Sequence, residues 1–291
     1  MLVKACAKVN LTLEIGKRRP DGYHSLRSIV CPVSVCDSIT IEQAEEGGIN
    51  FQCSDKSIPG EKNTAFRAAR LFSEKYAPGL NLRIRLEKNI PSQAGLGGGS
   101  SDASAVLLAL DRLCKTSLSQ TELVSLAASL GSDMPFFIFG GVCLMEGRGE
   151  IITPLPDCFP MDIIILKPAA GVSTGEAYEA LDRRKDTGVL KSPSRLPATK
   201  EEFLAMGFND FEEVCFLLTK EIPRAVSLLR DSGACFTLLC GSGSAVMGVY
   251  DDREAQKKGL DHLQRKTTMT AYPCRTLGRK DCHDLIFGEH S

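Results

Sequence analysis

Apolar and polar positions alternate at the start of the chain. Leu11, Leu13 and Ile15 share one parity, and after the polar segment Arg18-Arg19-Pro20-Asp21-Gly22-Tyr23-His24 the period of two resumes through Ile29, Val33, Val35, Ile39 and Ile41. Successive strand residues face opposite sides of a sheet, so this period predicts strands joined by a turn. Residues 63–76 change to a helical spacing, with Asn63 as N-cap. Residues 80–88 alternate again and predict a strand. A glycine-rich segment at 94–102 leads into an apolar stretch, 103–114, that reads as a buried helix. Residues 119–131 predict an amphipathic helix, with Ser119 as N-cap, Glu122 three positions on, and Gly131 as terminator.

Three prolines fall in the eight residues 153–160 and interrupt these patterns. A domain boundary is placed there, giving an N-terminal domain at 1–154 and a C-terminal domain at 155–291. Beyond it, 161–167 predicts a strand and 173–183 a helix. Residues 183–202 hold Arg, Lys, Ser and Pro with little apolar content and read as an exposed loop. Residues 211–220 and 222–233 look helical. Residues 234–251 read as strand, tight Gly/Ser turn and strand, followed by a helix at 253–266 and a last strand at 267–275. Strands pair in runs without regular βαβ alternation, so the class is α+β.

Composition narrows the function classes. With 35 Lys+Arg against 36 Asp+Glu, the net charge is −1. A general nucleic-acid binder needs a basic face, so none is expected as partner. Hydrophobic residues at 43% and charged residues at 24% are the balance of an ordinary globular chain. No apolar run reaches the ~18–20 residues of a membrane span. The first twenty residues lack the apolar core of a secretory signal, so the expected compartment is the cytoplasm. Twelve cysteines include no C-x-x-C pair and read as buried free thiols. No metal-ligand cluster is evident.

The strongest chemical signal is Pro91-Ser92-Gln93-Ala94-Gly95-Leu96-Gly97-Gly98-Gly99-Ser100-Ser101-Asp102. Four glycines in five positions expose bare backbone N–H groups, and two serines open a helix. That makes an anion cradle, with the hydroxyls as extra donors. No Lys-Ser/Thr follows the last glycine, so it is not a Walker A loop, and no glycine stands at 100 to complete G-x-G-x-x-G. A flexible hinge beside a helix is the plainer alternative.

These residues resemble the second motif of the GHMP kinases, P-x-x-x-G-L-G-S/G-S/G-S-S. Four further segments resemble the branch of that family acting on a cytidine-diphosphate polyol: Ala7-Lys8-Val9-Asn10-Leu11, Arg19-Pro20-Asp21-Gly22-Tyr23-His24, Gly131-Ser132-Asp133-Met134-Pro135-Phe136-Phe137 and Asn209-Asp210-Phe211-Glu212. Gly241-Ser242-Gly243-Ser244 resembles the third family motif, with Cys240 where Ser or Thr is usual. The resemblance implies a two-domain fold, an N-terminal domain like ribosomal protein S5 domain 2 and a ferredoxin-like C-terminal domain. It implies ATP with Mg²⁺ as cofactors and no dedicated protein metal site. The implied reaction is phosphorylation of the 2-hydroxyl of 4-diphosphocytidyl-2-C-methyl-D-erythritol, in the non-mevalonate route to isoprenoid precursors.

The site residues follow from the same resemblance. Pro91, Gly95, Leu96, Gly97, Gly98, Gly99, Ser100 and Ser101 hold the nucleotide. Asp133 activates or orients the hydroxyl, although its place before Pro135 also suits a simple turn residue. Lys8 pairs with Asp133, although strand parity alone allows it to face solvent. Asn10 lies on the same side of the strand and contacts substrate. Tyr23 and His24 take the cytosine by stacking and by reading the base edge. A Pro-Asp-Gly turn alone would leave both on the surface. Tyr178 is a second stacking face or an ordinary packed aromatic, and Thr174 is a further substrate contact. Arg148 is a turn residue or reaches a phosphate. Rival readings are another small-alcohol kinase of mevalonate or homoserine type, and a non-catalytic sensor of the same fold.

Overall fold

The computed structural model describes residues 1–58, 60–157, 159–183 and 199–288. Its elements begin with strands β1 (Leu2–Arg18), β2 (His24–Gln43) and β3 (Ile49–Cys53), helix α1 (Thr64–Tyr76), strand β4 (Leu82–Glu87) and helices α2 (Gly98–Cys114), α3 (Gln120–Ala128) and α4 (Met134–Phe139). The hairpin β5 (Cys143–Gly147) and β6 (Ile151–Pro154) follows, then β7 (Asp162–Lys167), α5 (Thr174–Arg183), α6 (Lys200–Met206), β8 (Phe208–Asn209), α7 (Phe211–Leu218) and α8 (Glu221–Asp231). The last are β9 (Phe236–Leu239), β10 (Val246–Tyr250), α9 (Arg253–Lys266), β11 (Thr270–Arg275) and α10 (Arg279–Phe287).

Strands β1 and β2 form one long antiparallel ribbon, from Leu2 opposite Thr40 to Arg18 opposite His24. Its register shifts at Cys6/Ala7 and again at Asn10/Thr12. An irregular pairing bends a strand and re-aims its side chains. Lys8 and Asn10 sit between those two shifts. The larger sheet runs β3-β4-β2-β1-β8, with β5 on β2 and β6 on β5. The second sheet runs β11-β7-β10-β9 and is antiparallel throughout. That order, with α8 and α9 as crossovers, is the ferredoxin-like arrangement. Strand β8 leaves the second half of the chain to pair with β1, at Thr12 opposite Phe208.

The helical layer against the first sheet is built by spacing. In α1, Ala65, Ala68, Ala69 and Phe72 recur at helical intervals and are buried against Ile39, Ile41 and Ile84. Asn63 accepts from the Ala65 N–H at 2.9 Å, as its N-cap position demands. Ser119 and Glu122 close the expected capping box on α3. Phe72 has no exposed surface, so Phe72→Ala is expected to cost about 3–5 kcal/mol. Urea denaturation measures this, and a loss below about 1 kcal/mol would contradict the burial.

Several elements depart from the sequence pattern. Helix α2 starts at Gly98, five residues before the apolar run at Ala103, because glycines in the first turn carry no hydrophobic signal. Helix α6, capped by Thr199, begins inside the stretch expected as loop, and the rest of that stretch, 184–198, lies outside the described residues. Helix α4 is six uninterrupted apolar residues without a period, and α10 buries only Cys282. The described cysteines are all free thiols, seven of them buried. Among the described residues no helix is long and apolar enough to cross a membrane.

Candidate active site

A cleft of about 810 Å³ runs from the glycine loop to the side chains of Tyr23 and Tyr178. At one end the loop leads into α2 through Gly97, in the left-handed region at φ +70°, with no side-chain cap on the helix. The first-turn N–H groups of a helix have no intrahelical acceptors, so they and the helix dipole face the cleft as an anion site. The loop is held on every side. Leu96 accepts from the Lys8 backbone N–H at 3.0 Å. Gly99 accepts from Thr64 Oγ1 at 2.6 Å. Gly95 lies so close to the 240–244 turn that a Cβ there would come within 1.8 Å of the Cys240 carbonyl oxygen. Ser101 donates to the Cys6 carbonyl at 2.6 Å and is 2% exposed. Its hydroxyl therefore locks the helix to β1, in place of the expected free donor.

Lys8 is 6% exposed and donates through Nζ to Asn10 Oδ1 at 2.6 Å. Asn10 in turn donates to Ser28 Oγ at 2.7 Å, and Ser28 donates to the Thr12 carbonyl at 2.6 Å. Both ends of the Asn10 amide are thus engaged, and its place is beside Lys8. Burial lowers the Lys8 pKa, and the Asp133 charge opposes that shift. The two side chains feel each other across the cleft, but among the described residues no salt bridge joins them. The expected contact ion pair is therefore replaced by the Lys8–Asn10 hydrogen bond. Asp133 stands at the N-terminus of α4 without a side-chain cap bond. Its carboxylate lines the cleft near Gly149, where a Cβ would lie 3.2 Å from Oδ1.

The far end is aromatic. Tyr23 is 54% exposed, as its turn predicts, and lines the cleft. His24 is 6% exposed and does not line it. Its ring stacks on Tyr178 at 5.2 Å between centroids and 25° between planes. A carbonyl only accepts, so the 3.0 Å contact with the Gly16 oxygen puts a proton on Nδ1. Nε2 lies 3.0 Å from Asp182. The imidazole thus supports Tyr178 and is not at the cleft wall, where the expected base-reading role would put it. Phe211 meets Tyr178 edge-on at 4.9 Å. Burial, with a smaller contribution from Asp133, pushes the Tyr178 phenol up to about 12. Thr174 contacts Ser242 at 3.0 Å and ties α5 to the 240–244 turn.

Two groups take roles that the sequence reading did not give them. Asn209 donates to the Leu239 and Gly241 carbonyls at 2.9 and 2.7 Å and so sets the turn that meets the glycine loop. Beneath the loop, Lys88 donates to Asp37 and, at 2.6 Å, to Asp102. Asp37 is fully buried and accepts from the Asn89 and Ile90 N–H groups. Asp102, in α2, is 1% exposed, and burial raises its pKa to about 8, against the pull of Lys88. The signal for the second was one charge, Asp102, entering an apolar helix and another, Lys88, at a strand end, since a buried charge demands a partner.

A raised folded-state pKa means the native state binds the extra proton. Stability from Asp102 is full below its unfolded pKa near 4 and is lost as pH rises toward about 8. Asp102→Asn, isosteric with the protonated acid, is expected to keep the fold and flatten this dependence. Thermal melts from pH 5 to 9 measure it, and an unchanged slope would contradict the buried proton.

Among the described residues no group of three or more His, Cys, Asp or Glu is arranged to hold a metal. The uncapped N-terminus of α2 at the cleft suits a polyphosphate, and Gly95, Gly97 and Gly98 let the loop pack onto Cys240, Phe137 and Ile90, where side chains would come to 3.0 Å or closer.

With this geometry in view, comparison with known proteins assigns the family. The model for the GHMP kinases N terminal domain matches residues 63–141, and that for the GHMP kinases C terminal domain matches 194–267. A 4-diphosphocytidyl-2-C-methyl-D-erythritol kinase of Symbiobacterium thermophilum is 39% identical, over 95% of this chain and 100% of its own. Its counterpart from Caldicellulosiruptor saccharolyticus is 39% identical over 91% of this chain and 93% of its own. A crystal structure of 4-(cytidine 5'-diphospho)-2C-methyl-D-erythritol kinase superimposes with a TM-score of 0.82 at 35% identity, covering 96% of this chain and 100% of that one. The chain belongs to the GHMP kinase family.

Proposed function

We propose that this chain transfers the γ-phosphoryl group of ATP to the 2-hydroxyl of 4-diphosphocytidyl-2-C-methyl-D-erythritol, giving the 2-phosphate and ADP for isoprenoid precursor synthesis in the cytoplasm. The relatives named for that kinase support the substrate. The observation that carries the reading is a single cleft with a phosphate cradle at one end, aromatic side chains at the other, and Lys8 and Asp133 opening into it.

Phosphoryl transfer asks a protein mainly to position groups and to offset charge. The loop 95–99 and the first turn of α2 hold the ATP phosphates through backbone N–H groups. Mg²⁺, held by the ATP phosphates, would offset phosphate charge there. Asp133 accepts the proton of the substrate hydroxyl or aligns it. Lys8, aimed by Asn10, offsets charge that develops on the transferred group. Tyr23 and Tyr178 form the cytosine end, and His24 fixes the Tyr178 ring from the protein side. Thr174 and Ser242 close the wall between the two ends.

The test is product analysis by ³¹P NMR after incubation with Mg·ATP and the cytidine substrate. A new monoester phosphorus with no three-bond coupling to any proton, as on the hydrogen-free 2-carbon, beside an intact diphosphate, is the expected result. A phosphate on a primary hydroxyl, or unchanged substrate, would remove the reading.

A further inference from the structure

Arg148 occupies the tip of the β5–β6 hairpin, between Gly147 at φ +73° and Gly149 at φ +115°. Its backbone N–H donates to Glu150 Oε2 at 2.5 Å, which fixes the tip. Its guanidinium carbon stands 4.9 Å from the centroid of the Tyr23 ring, and the residue lines the cleft. Gly149, the next residue, packs against the Asp133 carboxylate. The hairpin tip therefore touches the exposed aromatic ring through Arg148 and the carboxylate at the reacting end through Gly149.

Three other cations at or beside the cleft wall are engaged with the protein itself. Lys8 is given to Asn10, Lys88 to two aspartates, and Arg27 to Glu146 at 3.0 Å. The Arg148 side chain has only a long 3.8 Å contact from Nε to Glu150. Among the described residues its terminal nitrogens have no hydrogen-bond partner. A guanidinium with free parallel N–H groups is shaped for two phosphate oxygens at once.

We infer that Arg148 grips the diphosphate bridge of a nucleoside-diphosphate-linked alcohol, and so makes the site require a cytidine diphosphate over a bare cytidine. The inference rests on the substrate reading above. In such a substrate the diphosphate lies between the base and the polyol. A base against Tyr23 and a hydroxyl at Asp133 leave that bridge in the span Arg148 covers.

The test is calorimetric titration of the wild type, Arg148→Gln and Arg148→Lys with cytidine and with cytidine diphosphate, beside steady-state kinetics. Both variants change an exposed hairpin tip and are checked by thermal melting. Arg148→Gln is expected to weaken cytidine diphosphate by roughly 10–100-fold and leave cytidine within about 2-fold, as befits a lost charge-assisted hydrogen-bond pair. KM for the full substrate rises by a similar factor, and kcat stays within about 3-fold. Arg148→Lys, a point charge without the fork, falls between. Equal weakening of both ligands would assign Arg148 to Tyr23 alone and overturn the inference, as would unchanged binding of both. Wild type that binds neither ligand would overturn the cytidine reading together with it.

Discussion

Asp133→Asn is expected to lower turnover of the cytidine substrate by roughly 10²–10⁴-fold, the range a positioned proton acceptor contributes. The carboxylate lies at the head of α4 with no cap bond and lines the cleft, so its loss removes no structural hydrogen bond. Melting temperature and ATP affinity should therefore stay near wild type while kcat falls. Asparagine keeps the shape and can still donate or accept a hydrogen bond to the hydroxyl. A drop of about 3- to 10-fold would show alignment without proton transfer. The nearby Lys8 amplifies the effect. Its burial is opposed by the Asp133 charge, so removing that charge makes the ammonium costlier to keep. A variant within about 3-fold of wild type would take Asp133 out of the chemistry.

Gly95→Ala should damage the site by geometry alone. The added Cβ would stand 1.8 Å from the Cys240 oxygen and 2.7 Å from its carbon, both backbone atoms that cannot rotate away. Gly95 also holds φ +74°, which an L side chain resists. Strain and clash together are expected to cost on the order of 3–5 kcal/mol, or to part the glycine loop from the 240–244 turn. Denaturant titration reads the first outcome, and loss of ATP binding in a folded variant reads the second. Gly175→Ala is the control. Its Cβ meets nothing within 4 Å at a helical position, so it should be neutral or slightly stabilising. Wild-type stability and nucleotide affinity in Gly95→Ala would contradict the close approach of the two loops.

The fold was legible where side chains set a period. Alternation exposed β1 and β2, the Ala65-to-Phe72 spacing exposed α1, and Ser119 with Glu122 marked the start of α3. It was illegible where the signal is short or carried by backbone. Six apolar residues cannot announce α4, and Gly98 and Gly99 look like loop although they are the first turn of α2. In the site, residue types pointed to a phosphate cradle, because bare backbone that can ring an anion needs glycines together. Lys8 and Asp133 stood out through resemblance, since neither spacing nor composition separates them from a solvent lysine and a turn aspartate. What the linear chain hid were partners distant in sequence. Asn10 takes the Lys8 bond expected of Asp133, Asp182 stands by the His24 ring expected to read a base, and Asp37 and Asp102 come together around Lys88.

The most direct measurement is ADP release by the purified chain with Mg·ATP, offered 4-diphosphocytidyl-2-C-methyl-D-erythritol, mevalonate and homoserine in parallel. A kinase of the proposed specificity releases ADP with the cytidine substrate and stays at background with the other two. Release with mevalonate or homoserine instead would keep the family and discard the cytosine roles of Tyr23 and Tyr178. ATP binding with no turnover of any alcohol would contradict the catalytic assignment of Lys8 and Asp133 and leave a sensor in its place.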